Sequence, residues 1–239
     1  MTSRRTRVLS DLPFLVSLAC ACLPFAAVHL AYVLAASHGY VDWCNPYIDS
    51  CTSISATGRR PPARFVFKGI MLPAAALIMI YWWITWRWVT RAMGRRSSSD
   101  WMLGLGVVAC IGLILYVVVL GEVGDWLRLQ RKIGTILFFS FTFLAQLLFA
   151  AELRRYGIGD DLRARDQIQR IGRWMLRVCA LMLALGIGSV IVDLLNDSWH
   201  DAIEDALEWQ LALLLQLNFC FGAWHWRQVN WELRFEALS

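Results

Sequence analysis

The chain has 239 residues, 58% apolar and 17% charged, with 13 Trp and a mean hydropathy of +0.51. Soluble domains are about 45–50% apolar and about 25% charged, so a soluble globular protein and a disordered chain are both excluded. The net charge of +5 and pI near 9.0 would suggest nucleic acid in a soluble chain, but here the excess lies in arginines flanking apolar runs, where it faces an anionic leaflet; no nucleic-acid partner is expected.

Segments without Asp, Glu, Lys or Arg cover 12–41, 69–86, 101–121, 133–151, 178–192 and 209–226. All but the fifth match the roughly 17–25 residues a helix needs to cross a bilayer. The expected fold is an all-α integral membrane protein: a six-transmembrane-helix bundle with an ordered first extracytoplasmic loop. It forms one domain over 1–239, with helices at about 12–36, 64–89, 101–120, 133–151, 173–195 and 205–226. No separate soluble catalytic domain fits, so chemistry belongs within the bundle or at its rim.

The first helix follows Arg4, Arg5 and Arg7. Its apolar run far exceeds the roughly 7–15 residues of a signal-peptide core, so it reads as a retained span. Pro24 should bend it unless a neighbour satisfies the freed carbonyl. The loop from Ser37 to Arg64 carries Gly39, Pro46, Gly58, Pro61 and Pro62, cannot form one helix, and reads as an ordered cap. It also holds Cys44 and Cys51, in the compartment where disulfides persist. A bridge between them is expected, two free loop thiols being the alternative. Cys20, Cys22, Cys110, Cys179 and Cys220 fall in apolar spans as small buried hydrophobes.

The second helix starts after Pro61 and Pro62 and ends in Tyr81, Trp82, Trp83, Trp86 and Trp88, read as an interfacial belt at the inner face. A serine of the Arg95–Asp100 turn, or Asp100 itself, is expected to cap the third helix. Gly104, Gly106 and Gly112 should allow close helix contact there. In the connection 152–172, Asp161 with Arg165 and Asp166 with Arg170 form i, i+4 pairs suited to a polar surface helix. The fifth helix has 15 uncharged residues, so Arg173 and Arg177 should snorkel at one end, with Asp193 at the other. Gly186 and Gly188 are read as a packing seam. The sixth helix begins in an acidic stretch and ends at Trp224, His225 and Trp226.

Sixteen of the 23 basic residues fall at the termini and in the second and fourth connections. The positive-inside rule then places both termini in the cytoplasm. Asp193, Asp197, Asp201, Glu204, Asp205 and Glu208, with no Lys or Arg among them, fit the outer face. The basic residues are 21 Arg and 2 Lys, a bias a GC-rich genome produces, so a bacterial inner membrane is expected.

Ionisable groups near hydrocarbon are expensive, which makes them the first candidates for function. Arg64 and Lys68 open the second helix, Glu122 closes the third, Arg131 and Lys132 open the fourth, and His29 lies about two turns below the outer end of the first. Together they form the candidate lipid head-group set, the cations holding a phosphate. Glu208, with Asp193 or His200, is the candidate acid–base set. The competing reading is that these groups pair with one another and anchor helix ends, with His29 making a helix-to-helix hydrogen bond. A retinal lysine, facing haem histidines, a P-loop, a dinucleotide motif and Gly-x-Ser-x-Gly are all missing. Only His200 with Asp193, Asp197, Asp201 or Glu204 approaches zinc spacing. No metal and no cofactor are expected.

The first outer loop reads Pro46-Tyr47-Ile48-Asp49-Ser50, then Ile54-Ser55-Ala56-Thr57-Gly58, then Pro61-Pro62-Ala63-Arg64-Phe65-Val66-Phe67. It resembles the DRAM family of six-span membrane proteins, which includes FRAG-type factors of GPI-anchor lipid remodelling. Lys132-Ile133-Gly134 followed by Leu137-Phe138-Phe139 resembles the family's fourth helix, and Ala206-Leu207-Glu208-Trp209 its sixth; the similarity runs from about Pro46 to Arg227. Family members often carry His before the fourth-helix Ile-Gly or Leu-Gly pair, where this chain has Arg131 and Lys132, so His-dependent chemistry does not carry over. The resemblance implies a membrane lipid role without settled catalytic residues; GPI anchors do not carry over to a bacterial host. Three readings follow: a lipid-binding or lipid-handling protein with a polar outer cavity, a lipid-remodelling acyltransferase or hydrolase, and a structural or assembly subunit. The expected partners are a phospholipid or other membrane lipid, and a second copy or another membrane protein.

Overall fold

The structure, a computed structural model, describes residues 2–157 and 162–229, with side chains over 11–157, 162–196 and 198–229. The side chains of Arg4, Arg5, Arg7 and Asp197, together with Asp161 and Arg234, lie outside the described part. The helices are α1 (Thr2–Ser37), α2 (Ile54–Thr57), α3 (Ala63–Met93), α4 (Ser97–Val118), α5 (Asp125–Arg155), α6 (Leu162–Leu195), α7 (Asp197–Asp201) and α8 (Glu204–Gln228). The described residues contain no strand.

Five helices, α1, α3, α4, α5 and α6, are long and apolar enough to cross a membrane. The chain is therefore an integral membrane protein. At 25 residues α8 is comparable in length; it falls outside that set because Gln210, Gln216, Asn218 and His225 dilute its apolar run. Three of those, Gln216, Asn218 and His225, are buried within the bundle. The long helices also outrun their apolar cores: α5 starts at Asp125 and α6 at Leu162, because charged flanking turns keep the helical hydrogen-bond ladder going where water is available.

Neighbour follows neighbour around a ring: α1 packs on α3, α3 on α4, α4 on α5, α5 on α6, α6 on α8, and α8 back on α1. The ring closes on aromatic side chains. Tyr81 lies edge-on to Trp82, Phe149 and Phe219, with centroids 5.0, 6.5 and 5.2 Å away. Trp82, Tyr81 and Trp88 therefore belong to the interior and not to the expected interfacial belt. Only Trp83 and Trp86 of that cluster are half-exposed.

Small residues set the closest helix contact. A Cβ on Gly134 of α5 would lie 2.7 Å from the Gly112 carbonyl oxygen and the Tyr116 nitrogen of α4. Gly106 receives the face of Trp82, while Gly104 is open. The expected seam at Gly186 and Gly188 is absent: neither has anything within 4 Å. Gly186 instead borders an apolar groove of about 500 Å³ between α5, α6 and Leu211 of α8, along the C-terminal half of α6.

Asp100 lies inside the first turn of α4 and does not cap it; its carboxylate accepts from Trp86 Nε1 at 2.9 Å and Arg95 Nε at 3.0 Å. The turn is closed by Ser99, whose hydroxyl donates to the Arg96 carbonyl at 2.7 Å. At the same end Glu152, almost fully buried, accepts from Ser98 Oγ at 2.6 Å and faces Arg96 at 3.6 Å, joining α5 to α4. Arg170 pairs with Asp166 at 2.8 Å, as the i, i+4 spacing predicts. Arg173 turns to Asp166 at 3.7 Å, and Arg177 lies over the Trp174 ring at 4.5 Å. Cys22 and Cys220 are exposed, unlike the buried Cys20, Cys110 and Cys179, because they lie on the outward faces of α1 and α8.

Candidate functional site

The loop of residues 38–62 is held down at both ends and in the middle. Cys44 and Cys51 form a disulfide with Cα atoms 6.6 Å apart. Tyr32 of α1 donates to the Cys44 carbonyl and accepts from the Cys44 amide, both at 2.8 Å. From α8, Trp209 Nε1 donates to the Thr52 carbonyl at 2.8 Å and Gln210 to the Tyr47 carbonyl at 2.9 Å. The Ala206 amide in the first turn of α8 donates to Ser50 Oγ at 3.2 Å, which gives one of that turn's orphan N–H groups a partner. Gly58 ends α2 against Leu120 and Phe67, where a Cβ would fall 2.8 Å from Leu120 Cδ2. The loop is thus an ordered cap over α1, α3, α4 and α8.

Beneath the cap is a narrow apolar cleft of about 40 Å³, lined chiefly by Pro24, Phe25, Val28, Phe67, Met71, Leu113, Phe138, Phe139 and Leu215. Its lining also includes Glu208, Thr135, Tyr47, Trp209 and Gln216. Outside it, an open vestibule of about 560 Å³ is lined by Ser55, Arg59, Arg128, Arg131, Lys132, Thr135, Ile136 and Glu208. Thr135 and Glu208 belong to both spaces. Glu208 is half-buried and held by the Ile54 amide, which donates to its Oε2 at 3.3 Å. Among the described residues none of the four basic side chains has a carboxylate within 4.0 Å. Four cations thus face one carboxylate, at the mouth of an apolar slot. A second basic recess of about 280 Å³ continues from it through Arg59, Arg60, Arg128 and Arg131 to Glu122.

The predicted site residues divide between places. Arg131, Lys132 and Glu208 come together in the vestibule. Arg64 and Lys68 do not line it: they face Glu122 at 3.4 and 3.8 Å, and Lys68 donates to the Val118 carbonyl at 2.8 Å. These contacts satisfy the last turn of α4 from α3. His29 serves the cap. Its Nδ1 is 2.7 Å from the Phe25 carbonyl, which only accepts, so Nδ1 carries a proton, and its Nε2 is hydrogen-bonded with Tyr47 Oη at 2.9 Å. Burial pushes the Tyr47 hydroxyl above the usual range. Asp193 and His200 line neither space; His200 contacts Ser189, Asp193 and Glu204.

Arg59, Arg128 and Thr135 complete the vestibule and were not singled out from the sequence. Arg128 and Arg131 sit at i, i+3 on the first two turns of α5, a spacing that puts both on one face. Arg59 had no such signal, since the fold of the loop decides where it points. The interior also holds a polar ladder: Gln146 donates to the Leu215 carbonyl at 3.0 Å, and Asn218 donates to Gln146 Oε1 at 3.1 Å and to Cys179 Sγ at 3.4 Å. It ties α5, α6 and α8 together.

The family described as Frag1/DRAM/Sfk1/Cwh43P N-terminal domain matches residues 13–229. No curated protein and no solved structure matches the chain. The match runs from the start of α1's apolar stretch to the end of α8, so it takes in every helix, the cap and the vestibule; the chain belongs to the Frag1/DRAM/Sfk1/Cwh43P family.

Proposed function

We propose that the protein binds a membrane lipid with an anionic, phosphate-bearing head group at the outer face of the bilayer. The observation that carries this is the junction at Thr135 and Glu208, where an apolar cleft meets a vestibule with four basic side chains. A lipid has the same polarity order along its length. Its phosphate would sit among Arg59, Arg128, Arg131 and Lys132, which offer charge-assisted hydrogen bonds, and the start of one acyl chain would enter the cleft. Glu208, fixed by the Ile54 amide, would orient a hydroxyl or amine of the head group.

The reading has α8 crossing the bilayer as a sixth span, with its polar side chains turned into the ring. It also has both termini in the cytoplasm, supported by the arginine distribution. The arginine-over-lysine bias supports a bacterial inner membrane as the host compartment. A reporter fused at the carboxyl end, and one inserted near Asp42, should fall on opposite sides of the membrane.

Protein purified in mild detergent should retain anionic phospholipid, read by native mass spectrometry and by extraction with chromatography. The double variant Arg131→Gln/Lys132→Gln should lose most of that lipid while keeping its thermal transition. Retention of the same lipid at the same stoichiometry would reject the vestibule as the head-group site.

A further inference from the structure

Ser189, His200 and Asp193 meet at the outer end of α6, away from the vestibule. Ser189 Oγ lies 3.2 Å from His200 Nε2. On the far side of the ring, His200 Nδ1 faces Asp193 Oδ1 at 3.7 Å and Glu204 Oε2 at 3.9 Å. The two carboxylates favour the tautomer with the proton on Nδ1, which leaves Nε2 free to accept from the serine. That is the order nucleophile, base, orienting acid, and distances on the orienting side are often long before substrate binds.

The surroundings fit one substrate class. Ser189 and His200 are half-buried. Val190 and Ile191, the next residues of α6, line the apolar groove between α5 and α6. Just beyond, Leu194, Leu195 and Trp199 are strongly exposed, and Trp199 on α7 is the kind of side chain that settles at the membrane–water boundary. The hydroxyl thus stands between hydrocarbon-facing and water-facing surface, the depth at which acyl chains join a lipid's polar part.

We propose that Ser189, with His200 as its base and Asp193 as a positioning residue, cleaves an acyl ester of a membrane lipid. Ser189 Oγ bonds to the ester carbonyl carbon, the carbonyl π electrons move onto oxygen, and the serine proton passes to His200 Nε2. Collapse of that adduct breaks the bond to the alcohol oxygen, which takes the proton from Nε2 and departs as the deacylated lipid. Water then attacks the acyl-serine, giving its proton to Nε2. The second collapse releases the fatty acid, and the proton returns to Ser189 Oγ. The groove would hold the departing chain. This inference does not rest on the vestibule, since the two places share no residue.

The test uses the full chain in nanodiscs, treated with a fluorophosphonate. Mass analysis of the peptide carrying residue 189 should show the adduct, and Ser189→Ala should abolish it. His200→Gln should slow adduct formation about 100-fold or more, the scale of general-base assistance. Asp193→Asn should slow it less, and Asp193→Glu should restore it. In vesicles of phosphatidylethanolamine and phosphatidylglycerol with a radiolabelled acyl chain, the unaltered chain should release fatty acid and Ser189→Ala should not. Thermal unfolding of each variant checks that it is folded. A folded protein without an adduct at Ser189, equal rates with and without His200, or adduct formation abolished by EDTA would each overturn the proposal. Loss of lipid retention in Arg131→Gln/Lys132→Gln with labelling intact would leave it standing, and so separates the two readings.

Discussion

Gln216 on α8 donates its side-chain amide to the Cys20 carbonyl of α1 at 3.0 Å and to the Ala21 carbonyl at 3.2 Å, the amide orientation following from these acceptors. Cys20 is four residues before Pro24, whose ring nitrogen cannot donate, so its carbonyl has no helical partner. α1 therefore continues unbroken through Pro24, within a helix that runs from Thr2 to Ser37. Removing the donor should expose that cost. Gln216→Leu is expected to destabilise the bundle by about 1–3 kcal/mol, the usual penalty for a buried polar group left unpaired. Thermal unfolding in detergent should show the drop, and the double variant Gln216→Leu/Pro24→Ala should recover most of it, since alanine restores the helical N–H.

The cap's disulfide closes a short loop, and a bridge of this kind is typically worth about 2–4 kcal/mol. Cys44→Ser, or reduction of the unaltered protein, should lower the unfolding temperature. The loss should be partial, because Trp209, Gln210 and Tyr32 still bind the loop backbone. Alkylation with and without reductant should differ in mass by two added groups among cysteines, at Cys44 and Cys51.

Glu208 is the single carboxylate among four cations of the vestibule. Glu208→Gln keeps an oxygen for the Ile54 amide and removes the negative charge, so affinity for an anionic lipid should rise by about tenfold or less, the scale of one modest charge interaction. Arg131→Gln should change it by a similar factor in the opposite direction. Titration with short-chain phosphatidic acid at low and high salt would read both, and salt should compress the difference because the vestibule is open to water.

Gly134 on α5 lies against the backbone of α4. Gly134→Val would place a branched carbon where the Gly112 carbonyl and Tyr116 nitrogen are 2.7 Å from the first added atom. Overpacking of this kind costs about 1–3 kcal/mol or more, so the variant should lose thermal stability and expression. Gly188→Ala, with nothing within 4 Å, should be tolerated; equal damage at both positions would contradict the packing described.

Glu152 is buried beside two arginines that are themselves half or more exposed. Glu152→Leu should leave Ser98 Oγ without its 2.6 Å acceptor and free the N-terminal end of α4. A loss of about 1–3 kcal/mol is expected, measurable as a lower unfolding midpoint.

The helical class, the membrane location, the cysteine pair and the family were all legible in the linear chain, because each depends on composition or on short-range spacing: a run of uncharged residues, two cysteines in one loop, a motif from Pro46 to Phe67. The partners of individual polar groups were not. Arg64, Lys68, Arg131 and Lys132 look alike as cations at helix starts, yet the first two turn to Glu122 while the last two line the vestibule without a paired carboxylate among the described residues. Gly112, Gly134, Gly186 and Gly188 look alike as small residues in apolar spans, yet two are pressed against backbone and two border a groove or open space. Sequence spacing places a side chain on one face of its own helix, but which neighbour that face meets depends on how each helix is rotated and on where a loop such as 38–62 folds back. That is why Gln216 of α8 acquired its partners on α1 only when the ring closed.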